Sequence, residues 1–562
     1  MDFRKRISAI LLVVMMLVSA ASFALADIDD STWIDNPDFP GQIGLAKYPE
    51  PQHYTISKDT GLGPVHKPGL THDENMWKTE YENLNIFLDI AWTAEGYEAY
   101  SQKLTLNIGS QDIPEVFLCN AAQFQLLCEN DLIQPLDEVM EKYASDFFKE
   151  NMQSPDAQEA LKQATYQGKL YGIPMGSAGS NFQHMIFIRE DWRLALGLAE
   201  PTTMEALTEL ARAFTEDDPD GNGANDTYGY CLGNSPITTY MSINGLANSF
   251  GAFPGIWIEK DGTVQYGSVQ PEMKNALAFL ADWYEKGYID REFIVKDNYA
   301  ASMDMVAGKG GIAGAEWWLA TWPLPDAYQN GHQWKAYPLP FDASAPEQMV
   351  ATRNKQDTKL VVRKDVADPS VAIKLSNIYQ ERILGPESDL YVWKGDGEYD
   401  FTQYTYGGSL MGPDKNLAIM YAVTEAIDTD NPDMLTSAEE KQVYGYIKGH
   451  LDNSPSREES PQAWATNYLF HHINYGIEQS CYGIMNTYTL NGMNKVDIFK
   501  GAFGEAMTER MGQLESLTNE TFTNIISGGQ PIDDFDAYVA QFNAQGGVEV
   551  AAEVTAWYEA MK

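Results

Sequence analysis

The order of the apolar segments predicts an α/β fold with more than one core. Three observations carry that prediction. Strand-like and helix-like stretches alternate from Met76 to Leu136, the mark of layered α/β architecture. A fresh apolar strand opens at Met185, after the exit segment Gly168–Pro174. A chain of 562 residues is also longer than one hydrophobic core usually serves.

Each element follows from local pattern. Residues 27–75 are rich in Pro, Gly, Asp and aromatics and have no sustained period. They read as an extended leader that joins a sheet near Tyr54–Ile56. Trp77–Tyr81 reads as a helix, Leu84–Leu88 as a buried strand and Tyr97–Leu104 as a second helix. Gly109–Pro114 is a turn, Glu115–Leu118 a short apolar strand, Ala122–Cys128 a helix and Leu132–Leu136 extended. Thr202 with Glu205 forms a capping box after Pro201. Met204, Leu207, Leu210, Ala211 and Phe214 then recur on one helical face. Gln270–Lys274 opens a helix that carries Leu277, Leu280, Ala281 and Tyr284 on one face, and Glu439–Lys562 is mostly helical. No internal repeat or low-complexity tract interrupts the chain.

The helix ending near Phe214 runs into Asp218–Asp226. Oxygen-bearing side chains stand here at relative positions 1, 3, 5 and 9, with glycine at position 6. This is most of an EF-hand-type calcium loop. A hard divalent cation needs six or more oxygens at short range, and alternating inward residues in a tight loop supply them. Asp218, Asp220, Asn222 and Asp226 are the expected side-chain ligands, and Ala224 gives its carbonyl. Position 12 is Gly229 where a bidentate Glu is usual, so the last ligand comes from elsewhere or from water. The competing reading is a polar turn with Asp-Gly and Asn-Gly signals. Thr227–Tyr230 starts a strand instead of a second EF-hand helix, which favours a structural ion over a sensor.

Arg4, Lys5 and Arg6, the apolar run Ile7–Val18 and Ala24–Ala26 form a secretory signal, with cleavage expected before Asp27. The formal net charge is −42, which argues against nucleic acid and anionic membranes as partners. The four cysteines, Cys119, Cys128, Cys231 and Cys481, are too few for a disulfide scaffold and lack zinc spacing. They are expected as buried thiols, although Cys119 and Cys128 could bridge. Neighbouring His471 and His472 point apart on a helix and suit packing better than metal.

Several segments together resemble a known family. Asn83–Ile86 with Trp92 and Leu104 looks like its first strand and helix. Gly109–Val116 is similar to its Ser-Gly-Asp-x-Pro-Asp turn, altered at Gln111 and Glu115. Ile188–Trp192, Leu196–Leu198 and Pro201–Thr203 resemble its Arg-x-Asp-Trp signature. Asp218–Gly229, Trp283–Asp290 and Phe535–Val539 also fit. The chain thus resembles, from about residue 76 onward, the family 1 extracellular solute-binding proteins of ABC importers, in their long, carbohydrate-binding, lipoprotein-like branch. No cysteine precedes Cys119, so the lipid-anchoring box of that branch is missing and an unlipidated exported protein is expected, outside the cell, in the wall space or in a periplasm.

The resemblance implies a two-lobed, type II periplasmic-binding-protein-like fold with a hinge cleft, structural Ca2+, an oligosaccharide ligand and a membrane permease as partner, the chain acting as a monomer. Residues 27–177 with about 338–385 would form lobe one. Residues 178–337 with about 386–562 would form lobe two. Gly314–Trp318 is similar to the segment that meets the sugar in relatives, so Trp317 or Trp318 is the first candidate for stacking on a sugar ring. Gln111 and Asp112 are candidates from lobe one, and Trp92, Trp393 and Trp464 are further aromatic candidates. Trp192 is assigned to packing. An exported glycoside hydrolase is the alternative, since aromatic richness and abundant carboxylates suit both, but among 80 carboxylates some pair always qualifies and the count decides nothing. A peptide ligand also stays open.

Overall fold

The computed structural model describes residues 28–60, 76–153, 155–175, 182–352, 358–385, 415–453, 480–499, 501 and 503–561. The signal segment, His471, His472, Trp393 and Trp464 lie outside the described residues. Nine strands build two main sheets: β1 (Gln52–Asp59), β2 (Ile86–Ala94), β3 (Val116–Cys119), β4 (Gly172–Met175), β5 (His184–Arg189), β6 (Tyr228–Cys231), β7 (Gly310–Glu316), β8 (Trp334–Tyr337) and β9 (Thr358–Val362). The first sheet has the order β2-β1-β3-β9-β4, and the second β8-β5-β7-β6. The molecule is a two-lobed α/β protein, one sheet to a lobe.

In the first sheet β1 runs parallel to β2 and β3, while β9 lies antiparallel between β3 and β4. The chain therefore builds the second sheet and then returns a strand to the first. The leader does join a sheet, though as a long strand near its middle. Alternation of in and out gives way there to Ile56, Ser57 and Lys58 buried in succession, because layers cover both faces. In the second sheet β7 runs antiparallel to β5 and parallel to β6, with Ile312 opposite both Ile188 and Tyr230. All seven residues of β7 are buried. One large apolar cluster wraps this sheet and takes in the helical tail through Val554. Two smaller clusters serve the first sheet.

Helix α1 (Tyr97–Ser110) returns from β2 to β3, and α2 (Ala121–Glu129) leaves β3 under an Asn120–Gln123 capping box. Helix α3 (Met204–Glu216) buries the expected face. Its cap sits one residue later than predicted: Thr203 Oγ1 accepts from Ala206 N at 3.1 Å, because the helix begins at Met204. Helix α4 (Glu272–Lys286) buries Met273, Ala276, Leu277, Leu280 and Trp283. Its inward stripe thus follows Trp283 instead of Ala281 and Tyr284, since the indole fills the space beside Tyr230 and Phe279. All four cysteines are buried and remain outside disulfides, so Cys119 and Cys128 do not bridge. Among the described residues no helix is long and apolar enough to cross a membrane.

The leader is fastened by an unusual lysine. Helix α5 (Asn298–Val306) belongs to the second lobe, whereas α6 (Ser370–Tyr379) lies wholly buried in the first. On α6, Lys374 Nζ donates to Ala46 O at 2.6 Å and lies 3.8 Å from the Trp33 ring centroid. Burial pulls its ammonium down to about 7, against the opposing pull of Asp368 and Asp30. The unfolded chain therefore binds more protons than the native one between about pH 7 and the ordinary lysine value. The penalty is full below pH 7 and is relieved as pH rises through that window. Native stability, measured against a Lys374→Met variant by denaturant titration, should rise from pH 7 to pH 10 by up to about 1.4 kcal/mol per pH unit. Parallel pH profiles for the two proteins would contradict a neutral buried Lys374.

Candidate ligand-binding edge and cation loop

Open α/β sheets bind ligands beyond the carboxyl ends of their strands, where helix and loop starts leave room. In the second sheet the parallel strands β6 and β7 run to the same edge, β6 ending at Cys231 opposite Ala313 and β7 continuing to Glu316. Past β6, Tyr240 returns to bridge Ala315, and Glu316 N donates to Thr239 O at 3.1 Å. Past β7 the chain tightens into a 3-10 turn, Trp317–Ala320, and reaches Trp322. Helix α5 starts at the same edge, because buried Asn298 donates to the carbonyls of Ser235, Tyr240 and Met241. This brings Tyr299 alongside.

The two adjacent tryptophans have different neighbours. Trp317 meets the buried Tyr482 edge-on at 5.3 Å. Trp318 joins Tyr240, Trp322 and Tyr299 in an aromatic shelf. Its indole Nε1–H donates to Glu316 Oε2 at 3.0 Å. Glu316 is 1% exposed, and His184 Nε2 stands 4.0 Å from its other oxygen. A buried carboxylate acceptor sets the indole plane far more firmly than water would. Tyr240 meets Trp318 at 5.1 Å and 67° and Trp322 at 5.8 Å and 78°. Burial, and then the charge of Asp297, hold the Tyr240 hydroxyl above the usual phenol range, so it stays a neutral hydrogen-bonding group.

Trp92 lies near the carboxyl end of β2, half-buried, with Tyr100 at 5.1 Å and Lys103 Nζ 4.9 Å from its ring centroid. Gln111 and Asp112 follow α1 back to the amino-terminal edge before β3, where both are exposed. The structure does not bring them to the edge that holds Trp92. Asn120, at the carboxyl end of β3, does lie at that edge. Sequence reasoning passed over Tyr240, Tyr299 and Trp322. Only Trp322 left a signal, at helical spacing from Trp318. Trp192 packs in the core, with Arg189 4.1 Å above its ring and Phe214 edge-on at 5.4 Å.

The loop after α3 gathers its acids around Asn222. The Asn222 amide nitrogen donates to Asp220 Oδ2 at 2.9 Å and Asp226 Oδ1 at 3.2 Å. Asp218 accepts from Asn222 N at 3.1 Å and Gly223 N at 3.0 Å, and Ala224 N donates to Asn222 Oδ1 at 2.6 Å. Among the described residues no three acidic, histidine or cysteine side chains form a ready metal cage. The donors nevertheless fit a hard cation in kind: side-chain oxygens, from carboxylates gathered around one neutral amide. Gly229 contributes nothing to such a site. A Cβ there would lie 2.9 Å from backbone atoms of Ala211 and Tyr288, so strand packing excludes the usual glutamate. Thr227 Oγ1 donates to Phe214 O at 2.8 Å and fastens the loop's exit to α3.

Comparison with known proteins agrees with this geometry. Residues 77–340 match the bacterial extracellular solute-binding protein family. The polygalacturonan/rhamnogalacturonan-binding protein YtcQ of Bacillus subtilis is 28% identical over 42% of this chain and 45% of its own length. The chain thus spans about half the length of the curated relatives it matches. Among solved structures, FusA of Streptococcus pneumoniae with kestose covers 91% of this chain and 99% of its own at 15% identity and a TM-score of 0.65, and has also been solved as an EF-hand mutant. Alginate-binding protein AlgQ2 without calcium ion covers the same shares at 16% identity and 0.63. Over residues 77–340 the chain thus carries the pattern of the bacterial extracellular solute-binding protein family.

Proposed function

We propose that this protein is the substrate-binding component of an ABC importer, which captures an oligosaccharide between its two lobes and delivers it unchanged to a membrane permease. The observation that carries the reading is the Trp318 indole, fixed by buried Glu316 at the carboxyl edge of β7. A sugar offers an apolar ring face and many hydroxyls. A rigid aromatic plane suits the former at little entropic cost, and the neutral Tyr240 hydroxyl suits the latter. Trp317 serves the core beside Tyr482, and Trp92 and Asn120 are the contribution of the first lobe. The relatives are themselves carbohydrate-binding proteins, which favours capture over hydrolysis. Residues 28–175 with 358–385 make one lobe, and most of the remainder the other.

The cation proposal belongs with this reading. Calcium would be held by Asp218, Asp220 and Asp226, with the Asn222 amide turned to offer its oxygen and the Ala224 carbonyl beside it. The chemistry supplied is electrostatic cross-linking of the end of α3 to the start of β6.

Calorimetry with neutral glycans should show binding without turnover, and steady release of shorter products would favour the hydrolase. Trp318→Ala should weaken binding by about 2 kcal/mol or more. Glu316→Leu should cost about 1 kcal/mol through loss of ring orientation, while Glu316→Gln keeps an acceptor and most of the affinity. Unchanged affinity in Trp318→Ala would remove the shelf from the site. For the loop, calcium at a hundredfold excess over its dissociation constant should stabilise the fold by about 2.7 kcal/mol, seen as a raised Tm that Asp218→Ala abolishes. A Tm indifferent to both calcium and chelator would leave the loop a polar turn.

A further inference from the structure

The shelf extends beyond Trp318. Trp322 lies 6.2 Å from Trp318 at 22°, and Tyr299 lies 5.7 Å from Trp322 at 21°. Parallel rings in contact are about 3.5 Å apart, so these centroid separations demand lateral offsets of about 5 and 4.5 Å. The three rings therefore form a staircase, and each step leaves part of a ring face open. Tyr240 stands nearly perpendicular to both tryptophans and braces the steps. Tyr299, at the outer end, is 55% exposed. A single exposed ring needs no explanation, but a braced run of four half-open rings at a strand edge marks a contact surface.

Charge decides what that surface takes. Asp297 caps α5 by accepting from Ala300 N at 2.6 Å, and it is the acid that bears on Tyr240. Glu316 anchors the inner step. The cation next along the chain, Lys296, is engaged by Asp290 at 2.5 Å and Asp304 at 2.8 Å. Asp297 is thus the charge that bears on Tyr240, and it disfavours an acidic sugar on the staircase.

We propose that Trp322 and Tyr299 form an outer subsite for an additional, uncharged sugar ring, so that the protein selects neutral oligosaccharides by length. The proposal rests on the sugar-binding reading above, and its test separates the two. Calorimetry on the full chain would use neutral fructo-oligosaccharides of two to five units and oligogalacturonates of the same lengths as probes. Wild type should bind the longer neutral members about three- to tenfold more tightly than the shortest. Tyr299→Ala, an exposed change that spares the fold, and the double variant Tyr299→Ala with Trp322→Ala should weaken the longer members about three- to tenfold more than the shortest and so erase that increment. Equal weakening at every length, or no effect at any length, overturns the outer subsite while sugar capture stands. Tighter binding of the galacturonates than of the neutral series overturns its neutral character. Binding of neither series overturns the subsite together with the reading beneath it.

Discussion

The fit of β7 into its sheet is the constraint on which the site depends. A Cβ at Gly310 would overlap Cys231 Sγ, one at Gly311 would overlap the Phe214 ring, and one at Gly314 would overlap the Tyr230 hydroxyl. The strand is pressed on both faces by α3 and by β6 side chains, and it has no freedom to slide. Its carboxyl end is therefore a fixed point. Glu316 is delivered there buried, and Trp318 takes its orientation from Glu316. Ligand recognition by a stiff plane requires that stiffness to come from the scaffold, since every rotamer frozen on binding subtracts from affinity.

The same strands connect the shelf to the acidic loop. Helix α3 supplies Phe214 beneath Gly311, and its end leads directly into Asp218–Asp226. Thr215 Oγ1 accepts from Gly229 N at 3.1 Å, which ties the helix to β6 on the far side of the loop. A cation held in the loop would lock helix to strand at the end of β6 opposite Tyr240. Its effect on ligand binding would then be indirect, through the rigidity of the sheet. The return of β9 into the first sheet complements this arrangement. The chain passes between the two sheets more than once, so each lobe is closed by a strand from a distant part of the sequence.

Much of this fold was legible in the sequence because its signals are local. The apolar period of Met204–Phe214 survives burial, and the α/β alternation from Met76 to Leu136 maps onto β2, α1, β3 and α2. The loop's oxygen spacing stands out even where Gly229 breaks the pattern, and in the structure strand packing leaves no room for a side chain at Gly229. The site was less legible. Gln111 and Asp112 drew attention as a polar turn, yet α1 carries that turn to the amino edge of the sheet, which is a consequence of topology. Tyr240 and Tyr299 reach the shelf only because Asn298 binds three carbonyls of a distant loop. No window of sequence contains that contact.

The central claim is that a glycan lies on the rings beyond β7. Hydroxyl-radical footprinting read by mass spectrometry tests it at residue level, comparing the free protein with the protein saturated by its glycan. The account predicts protection of Trp318, Trp322 and Tyr299 on binding, with the buried Trp192 and Trp283 unchanged. Glycan bound with those three rings as reactive as before would place the sugar elsewhere and contradict it.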